Sequence, residues 1–224
     1  MRKGRIMIGI IGLLILLVVG CVWLEFNDEN KKKTEIIEKS ILVTAFKNVK
    51  IDSTTDNVKF KIGDHYCVTY KGREDIKPVI VVRNETLSIN SPSENIIING
   101  SIFDEKQEQQ LLTIEMPEKE LDSLSIDLSN GSISTDKLSV KNGNIDTSNG
   151  NVNIKNLLTK KEFQIDASNG NIRVEKANAK GYDFFTSNGR IFYKGKKITN
   201  SYNEDQTNVN TLKISTSNGD ITVN

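Results

Sequence analysis

From Leu124 to Asn224, apolar and polar positions alternate with period two on both sides of a recurring polar triplet. The triplet is Ser-Asn-Gly, followed after one residue by Ile or Val. It occurs at Ser129–Ile133, Ser148–Val152, Ser168–Ile172, Ser187–Ile191 and Ser217–Ile221. Four residues before each Asn stand Ile126, Ile145, Ile165, Phe184 and Ile214. Three residues after it stand Ile133, Val152, Ile172, Ile191 and Ile221. Two before it stand Leu128, Thr147, Ala167, Thr186 and Thr216. This pattern predicts strand, corner, strand in every copy. The corners are Asn130-Gly131, Asn149-Gly150, Asn169-Gly170, Asn188-Gly189 and Asn218-Gly219. Both residue types tolerate the positive φ that a tight corner is expected to need.

A strand-corner-strand unit also describes a hairpin, so an antiparallel β-sandwich stays open as an alternative. The spacing favours an all-β, single-domain β-solenoid. The corner Asn residues are 19, 20, 19 and 30 positions apart, and a fixed period marks a repeat architecture. Stacked coils place equivalent residues about 4.8 Å apart. Apolar columns then merge into one core, and the Asn residues can form a ladder of amides. Asn142-Gly143 adds a second corner inside one coil. The 30-residue interval is read as a surface loop around Ile198–Asn210 inserted into the array.

Between residues 34 and 120 the corners are less regular, and regular repeats occupy 121–224. Strands are expected at Ile41–Val43, Val49–Ile51, Val58–Ile62 and Tyr66–Tyr70. Val79–Ile89 reads as a hairpin around Arg83-Asn84-Glu85, and Leu111–Met116 as a strand ending at Pro117.

The chain opens differently. Arg2, Lys3 and Arg5 precede an apolar run from Ile6 to Leu24, close to the roughly 20 residues that span a bilayer. Residues 1–26 are therefore expected to form a signal anchor, an N-terminal transmembrane helix that partners the membrane. Residues 27–33 would be a polar stalk, and the domain from 34 to 224 would lie extracytoplasmically. The basic residues before the run support that orientation, although Lys31-Lys32-Lys33 beyond it weaken the bias. Val18-Val19-Gly20-Cys21 also resembles a bacterial lipobox, which would replace the helix by an acyl anchor at Cys21.

About 190 residues outside the anchor suffice for one domain with a real core. A net charge of +1 provides no electrostatic footprint for nucleic acid. Cys67 is the only cysteine outside the apolar run, so that domain has no internal disulfide; its apolar neighbours suggest a buried small residue. His65 is the only histidine, and no nucleophile, phosphate-loop or zinc motif accompanies it. No catalytic, cofactor-binding or metal-ligating residue is assigned, and the chain is read as non-enzymatic. Asp127, Asp146 and Asp166 each stand three residues before a corner Asn. Stacking would line them up on the outer face, as a solvated column or as oxygen ligands for a cation such as calcium.

The Ser-Asn-Gly-x-Ile repeats, Asp56-Asn57-Val58 and Val81–Ile89 together resemble a bacterial adhesin-type domain family that includes LiaG-like cell-envelope proteins of Gram-positive bacteria. The resemblance covers roughly residues 45–224. It implies a solenoid-like fold and an envelope-facing, membrane-associated location, and carries over no catalytic or ligand residues. The expected function is adhesion or scaffolding at the envelope, with a cell-wall glycan or an envelope protein as partner. The alternative is an accessory regulator of an envelope-stress response acting through a membrane protein.

Overall fold

The computed structural model describes residues 35–91 and 110–224. The anchor expected at 1–26 and the stalk at 27–33 lie outside the described residues. Among the described residues no helix is long and apolar enough to cross a membrane. They are β-structure and its connections, apart from one 3-10 turn at Glu74–Ile76.

The regular half runs through β8 (Leu121–Asn130), β9 (Ile133–Thr135), β10 (Leu138–Asn149), β11 (Val152–Ile154), β12 (Leu157–Thr159), β13 (Phe163–Asn169) and β14 (Ile172–Val174). It continues through β15 (Gly181–Asn188), β16 (Ile191–Tyr193), β17 (Lys196–Ile198), β18 (Ser201–Glu204), β19 (Thr211–Asn218) and β20 (Ile221–Val223). The first half contributes β1 (Ile36–Leu42), β2 (Asn48–Ser53), β3 (Asp56–Ile62), β4 (Cys67–Arg73), β5 (Val79–Arg83), β6 (Thr86–Asn90) and β7 (Gln110–Met116). They form two ten-stranded sheets. Sheet A has the order β1-β4-β7-β3-β9-β11-β14-β20-β16-β17. Sheet B has the order β18-β15-β19-β13-β10-β8-β2-β6-β5, with β12 beside β10.

Each coil leaves sheet B at a Ser-Asn-Gly corner and enters sheet A. Neighbouring coils pair in parallel and in register: Ile126, Ile145, Ile165, Ile214 and Phe184 form one column. Ile133, Val152, Ile172, Ile221 and Ile191 form the facing column. All ten side chains are buried. Burial of each such side chain contributes about 1.5–3 kcal/mol, so the columns form the core that no coil could build alone. Parallel in-register pairing rules out the antiparallel sandwich for the repeats. A third side is short: Leu138–Val140 pairs in parallel with Leu157–Thr159, and Leu157 bridges to Ala177. Gly143 marks the bend between that side and sheet B. A Cβ there would press on the Leu124 carbonyl and the Phe163 ring.

Coil order departs from chain order at both ends. β19 and β20, last in the chain, lie between the coil of β13–β14 and the coil of β15–β16. At the other end, β6 and β7 lie outside β2 and β3, although β2 and β3 come first. The 30-residue interval is therefore more than a surface loop. It carries β17 and β18, which pair antiparallel with β16 and β15, and then returns the chain to the inner position. The last strand is flanked by β14 and β16, so it presents no open edge. At the first end β4 closes sheet A on β7, β1 adds to β4, and β5 closes sheet B on β6, all antiparallel.

Beyond Phe184 the core ends in an aromatic cluster. Tyr182, Phe184, Tyr193 and Tyr202 have ring centroids 4.7–5.8 Å apart. The Tyr202 and Tyr193 hydroxyls donate to Glu204 at 2.7 and 3.2 Å. The Glu204 carboxylate and burial together push the Tyr202 phenol up to about 12. Lys194 Nζ covers the Tyr193 ring at 4.6 Å, a cation–π contact that helps close the end.

Candidate functional site

The corners show why their residue types are required, and the reason differs from the expected one. None of the five Asn-Gly pairs has positive φ. Among the described residues that conformation occurs at Asn84, Glu85, Lys194, Gly195 and Asp205, two of them in the β5–β6 hairpin turn and two in the β16–β17 turn. Glycine is needed at the corners because the coils approach closely. A Cβ on Gly150 would collide with the Gly131 carbonyl oxygen, one on Gly170 with that of Gly150, and one on Gly219 with that of Gly170. Gly189 meets Gly219 and Gly131 meets Asp56 in the same way.

The Asn residues form the expected ladder, in spatial order. Asn149 Nδ2 donates to Asn130 Oδ1 at 2.9 Å, and Asn169 donates to Asn149 at 2.9 Å. Asn218 donates to Asn169 at 2.8 Å, and Asn188 to Asn218 at 3.0 Å. A second ladder runs one residue past the glycine. There the backbone N–H of each coil meets a side-chain oxygen of its neighbour: Ser132 with Asn57, Asn151 with Ser132, Asn171 with Asn151, Asp220 with Asn171, and Arg190 with Asp220. A third set lies two residues before the Asn. Thr147, Thr216 and Thr186 hydroxyls donate to the carbonyls of Gly131, Gly170 and Gly219. The ten corner residues thus link each coil to its neighbour in register.

Asp56 stands where later coils have glycine, since β3 pairs Val58 with Ile133. Its buried carboxylate accepts hydrogen bonds through Oδ2 from Ser53, at 2.7 Å, and from Ser91. Burial raises its pKa, against the pull of the two hydroxyls. Nothing in the local sequence around Asp56-Asn57-Val58 signals that this carboxylate is enclosed.

On the outer face of sheet B the expected Asp column is present. Pairing places Asp52, Asp127, Asp146, Asp166, Ser215 and Phe185 in one row across six strands. The next row contains Lys50, Ser125, Asn144, Gln164, Lys213 and Asp183. A groove of about 390 Å³ runs beside the carboxylates, walled on its other side by Ser148, Ser168 and Ser217. Asn144 donates to Asp146 at 2.7 Å and Gln164 to Asp166 at 2.6 Å, and the Ser215 hydroxyl also donates to Asp166. Partial burial raises the Asp146 pKa, reinforced by Asp166 and Asp127 and opposed by Asn144. Asp146 and Asp166 thus stand side by side on neighbouring strands, each tied to an amide two residues back on its own strand. Among the described residues no group of three or more His, Cys, Asp or Glu converges as metal ligands would. The surface offers closely spaced acceptors flanked by hydroxyl donors.

His65 is exposed in the bend between β3 and β4, and Cys67 is a free, half-buried thiol at the start of β4 rather than a fully buried one.

The architecture matches solved structures. A candidate cell adhesion protein from Clostridium sporogenes superposes with a TM-score of 0.58 at 15% identity, covering 84% of this chain and 99% of that one. A candidate adhesin from Parabacteroides merdae gives 0.41 at 13% identity, covering 85% and 82%. One from Bacteroides fragilis gives 0.38 at 12% identity, covering 85% and 97%. The first of these supports the fold, and none assigns a ligand. No curated protein sequence matches the chain. The Toastrack DUF4097 family pattern matches residues 46–224, four-fifths of the sequence, and the chain belongs to that family.

Proposed function

We propose that the protein is a membrane-held, extracytoplasmic binding module of the bacterial cell envelope, and that its work is non-catalytic contact with a hydroxyl-rich polymer of the wall. The observation that carries this reading is the sheet B groove, where a row of carboxylates lies opposite a row of serine hydroxyls. A repeat near 4.8 Å suits many weak, repeated hydrogen bonds to a sugar chain. Clustered negative charge disfavours polyanions, so the neutral glycan is the preferred target over anionic wall polymers. The apolar run Ile6–Leu24 supplies the anchor in this reading, and the resemblance to LiaG-like proteins supports the envelope location.

The test is a pull-down of residues 34–224 with purified sacculi, before and after removal of their anionic polymers. Saturable binding that survives stripping supports the reading, and Asp146→Lys with Asp166→Lys should weaken it. No binding to either preparation refutes wall attachment. The anchor run also favours a second reading, a regulator acting through a membrane protein. Exchange of Ile6–Leu24 for an unrelated anchor would abolish a regulatory phenotype and leave wall binding intact.

A further inference from the structure

Four strands form the outer edges of the two sheets, and three are blunted. β17 has three residues, two of them Lys196 and Lys197; β18 has four and ends at Glu204; β5 has five, follows Pro78 and ends at Arg83. Short, charged or proline-flanked edges resist pairing with other chains. β1 differs. It has seven residues, and Ile36 and Leu42 are 41% and 75% exposed. Among the described residues nothing pairs with its outer side.

The backbone on that side is ready for a partner strand. Val43 N–H donates to the Tyr66 carbonyl at 3.0 Å. By the alternation of an antiparallel ladder, Ile37, Lys39 and Ile41 bond to β4, and Ile36, Glu38, Ser40 and Leu42 turn their N–H and C=O groups outward. The sequence of β1, Ile-Ile-Glu-Lys-Ser-Ile-Leu, is also symmetric in character about Lys39. We infer that β1 pairs with β1 of a second copy of this chain, antiparallel about a twofold axis through Lys39, joining two A sheets edge to edge.

In that register Ile36 meets Leu42 and Glu38 meets Ser40 as hydrogen-bonded pairs, using every outward group. Ile37 meets Ile41 in the closer, non-hydrogen-bonded positions. Shifting the register by two residues breaks both apolar matches. The cost is Lys39 facing its own copy. Like charges directly opposite weaken a pair, and one strand edge is small beside a standard interface. The dimer is therefore weak and concentration-dependent.

The experiment uses the full-length protein in detergent, with Cys21→Ala and Cys67→Ser as background. Lys39→Cys places two sulfurs across a non-hydrogen-bonded pair with Cα atoms about 4.5 Å apart, within disulfide reach. Mild oxidation should trap a dimer. Ser40→Cys, one residue away but paired with Glu38, should not. Adding Ser40→Pro to the Lys39→Cys chain should prevent trapping without unfolding, because the Ser40 N–H points outward and serves no bond to β4. Mixed in equal amounts with the unsubstituted background chain, Lys39→Glu should raise the ratio of heterodimers to homodimers roughly fivefold above its statistical value, as repulsion becomes attraction. A Lys39→Cys chain that stays monomeric, equal trapping at Ser40→Cys, or trapping that persists with Ser40→Pro overturns the inference and leaves the edge to a strand of another protein.

Discussion

Ala167 interrupts a column of hydroxyl groups, and restoring the hydroxyl should stabilise the domain. In the neighbouring coils Thr147, Thr216 and Thr186 occupy this position, and each donates to the carbonyl of the preceding coil's corner glycine at 3.0, 3.1 and 2.9 Å. The matching acceptor for residue 167 is the Gly150 carbonyl, to which alanine can donate nothing. Ala167 is itself buried, and parallel pairing sets it level with Thr147 and Thr216. The lattice of the coil thus already accommodates threonine on both sides. Ala167→Thr adds a buried hydrogen bond, worth about 0.5–1.5 kcal/mol net, and one buried methyl, worth about 0.8 kcal/mol. Less the rotamer restriction of the new side chain, the expected gain is about 1–2 kcal/mol. For a domain of this size that raises Tm by about 3–6 °C. Urea unfolding followed by circular dichroism reads the same change as a shift in midpoint at constant slope. Thr147→Ala, which removes the equivalent bond, should lose a similar amount. An Ala167→Thr protein no more stable than the parent would refute the assignment of these hydroxyls as stabilising links between coils.

Three further outcomes follow from the geometry. Gly170→Ala forces a methyl against a backbone carbonyl that cannot rotate away, so the coils must separate; a loss of about 3 kcal/mol or more is expected, and an unchanged urea midpoint would contradict the close stacking. Asp56 has a folded pKa raised by burial, so its neutral form supplies stability that is complete below the ordinary carboxylate pKa and is lost as pH rises through the raised value. Asp56→Asn should remove that dependence, and its stability advantage over the parent should grow between pH 4 and pH 7 in urea titrations. A chain ending at Asn210 lacks β19 and β20, so the Phe184 coil loses its only parallel neighbour among the described residues; hydrogen exchange should show β15 to β18 unprotected while β8 to β14 keep most of their protection.

Much of the regular half was legible because every coil repeats the same side-chain roles. The Ile columns, the corner Asn ladder and the Asp row follow from alignment on one residue, and the β5–β6 hairpin follows from its polar turn. Coil order was not legible for the same reason. Coils that present nearly identical stacking surfaces carry little information about which one lies next to which. Asn218 fits beside Asn169 as well as Asn188 would. What separates them is long-range: Phe184 belongs beside Tyr182, Tyr193 and Tyr202 at the end of the core, a grouping that no local spacing reveals. Glycine at the corners is legible from the sequence but its cause is not, because local conformational preference is written in neighbouring residues and contact across coils is not. The sheet B groove was half visible. The carboxylates stand in register in the sequence, whereas Ser148, Ser168 and Ser217 read only as the first residue of the corner triplet and line the groove in the folded stack.

The placement of β20 between β14 and β16 restricts how such a molecule can change its length over evolutionary time. Any continuation past Asn224 must leave the stack, because both flanks of the preceding strand are occupied. Appending another copy of the repeat at that end would add a unit that cannot stack on the coil before it. Duplicating the unit around Asn149 or Asn169 would instead insert a coil between two that already accept it, and would push the locked ends apart unchanged. Growth from the middle is the route that leaves the capping strands of both ends as they are.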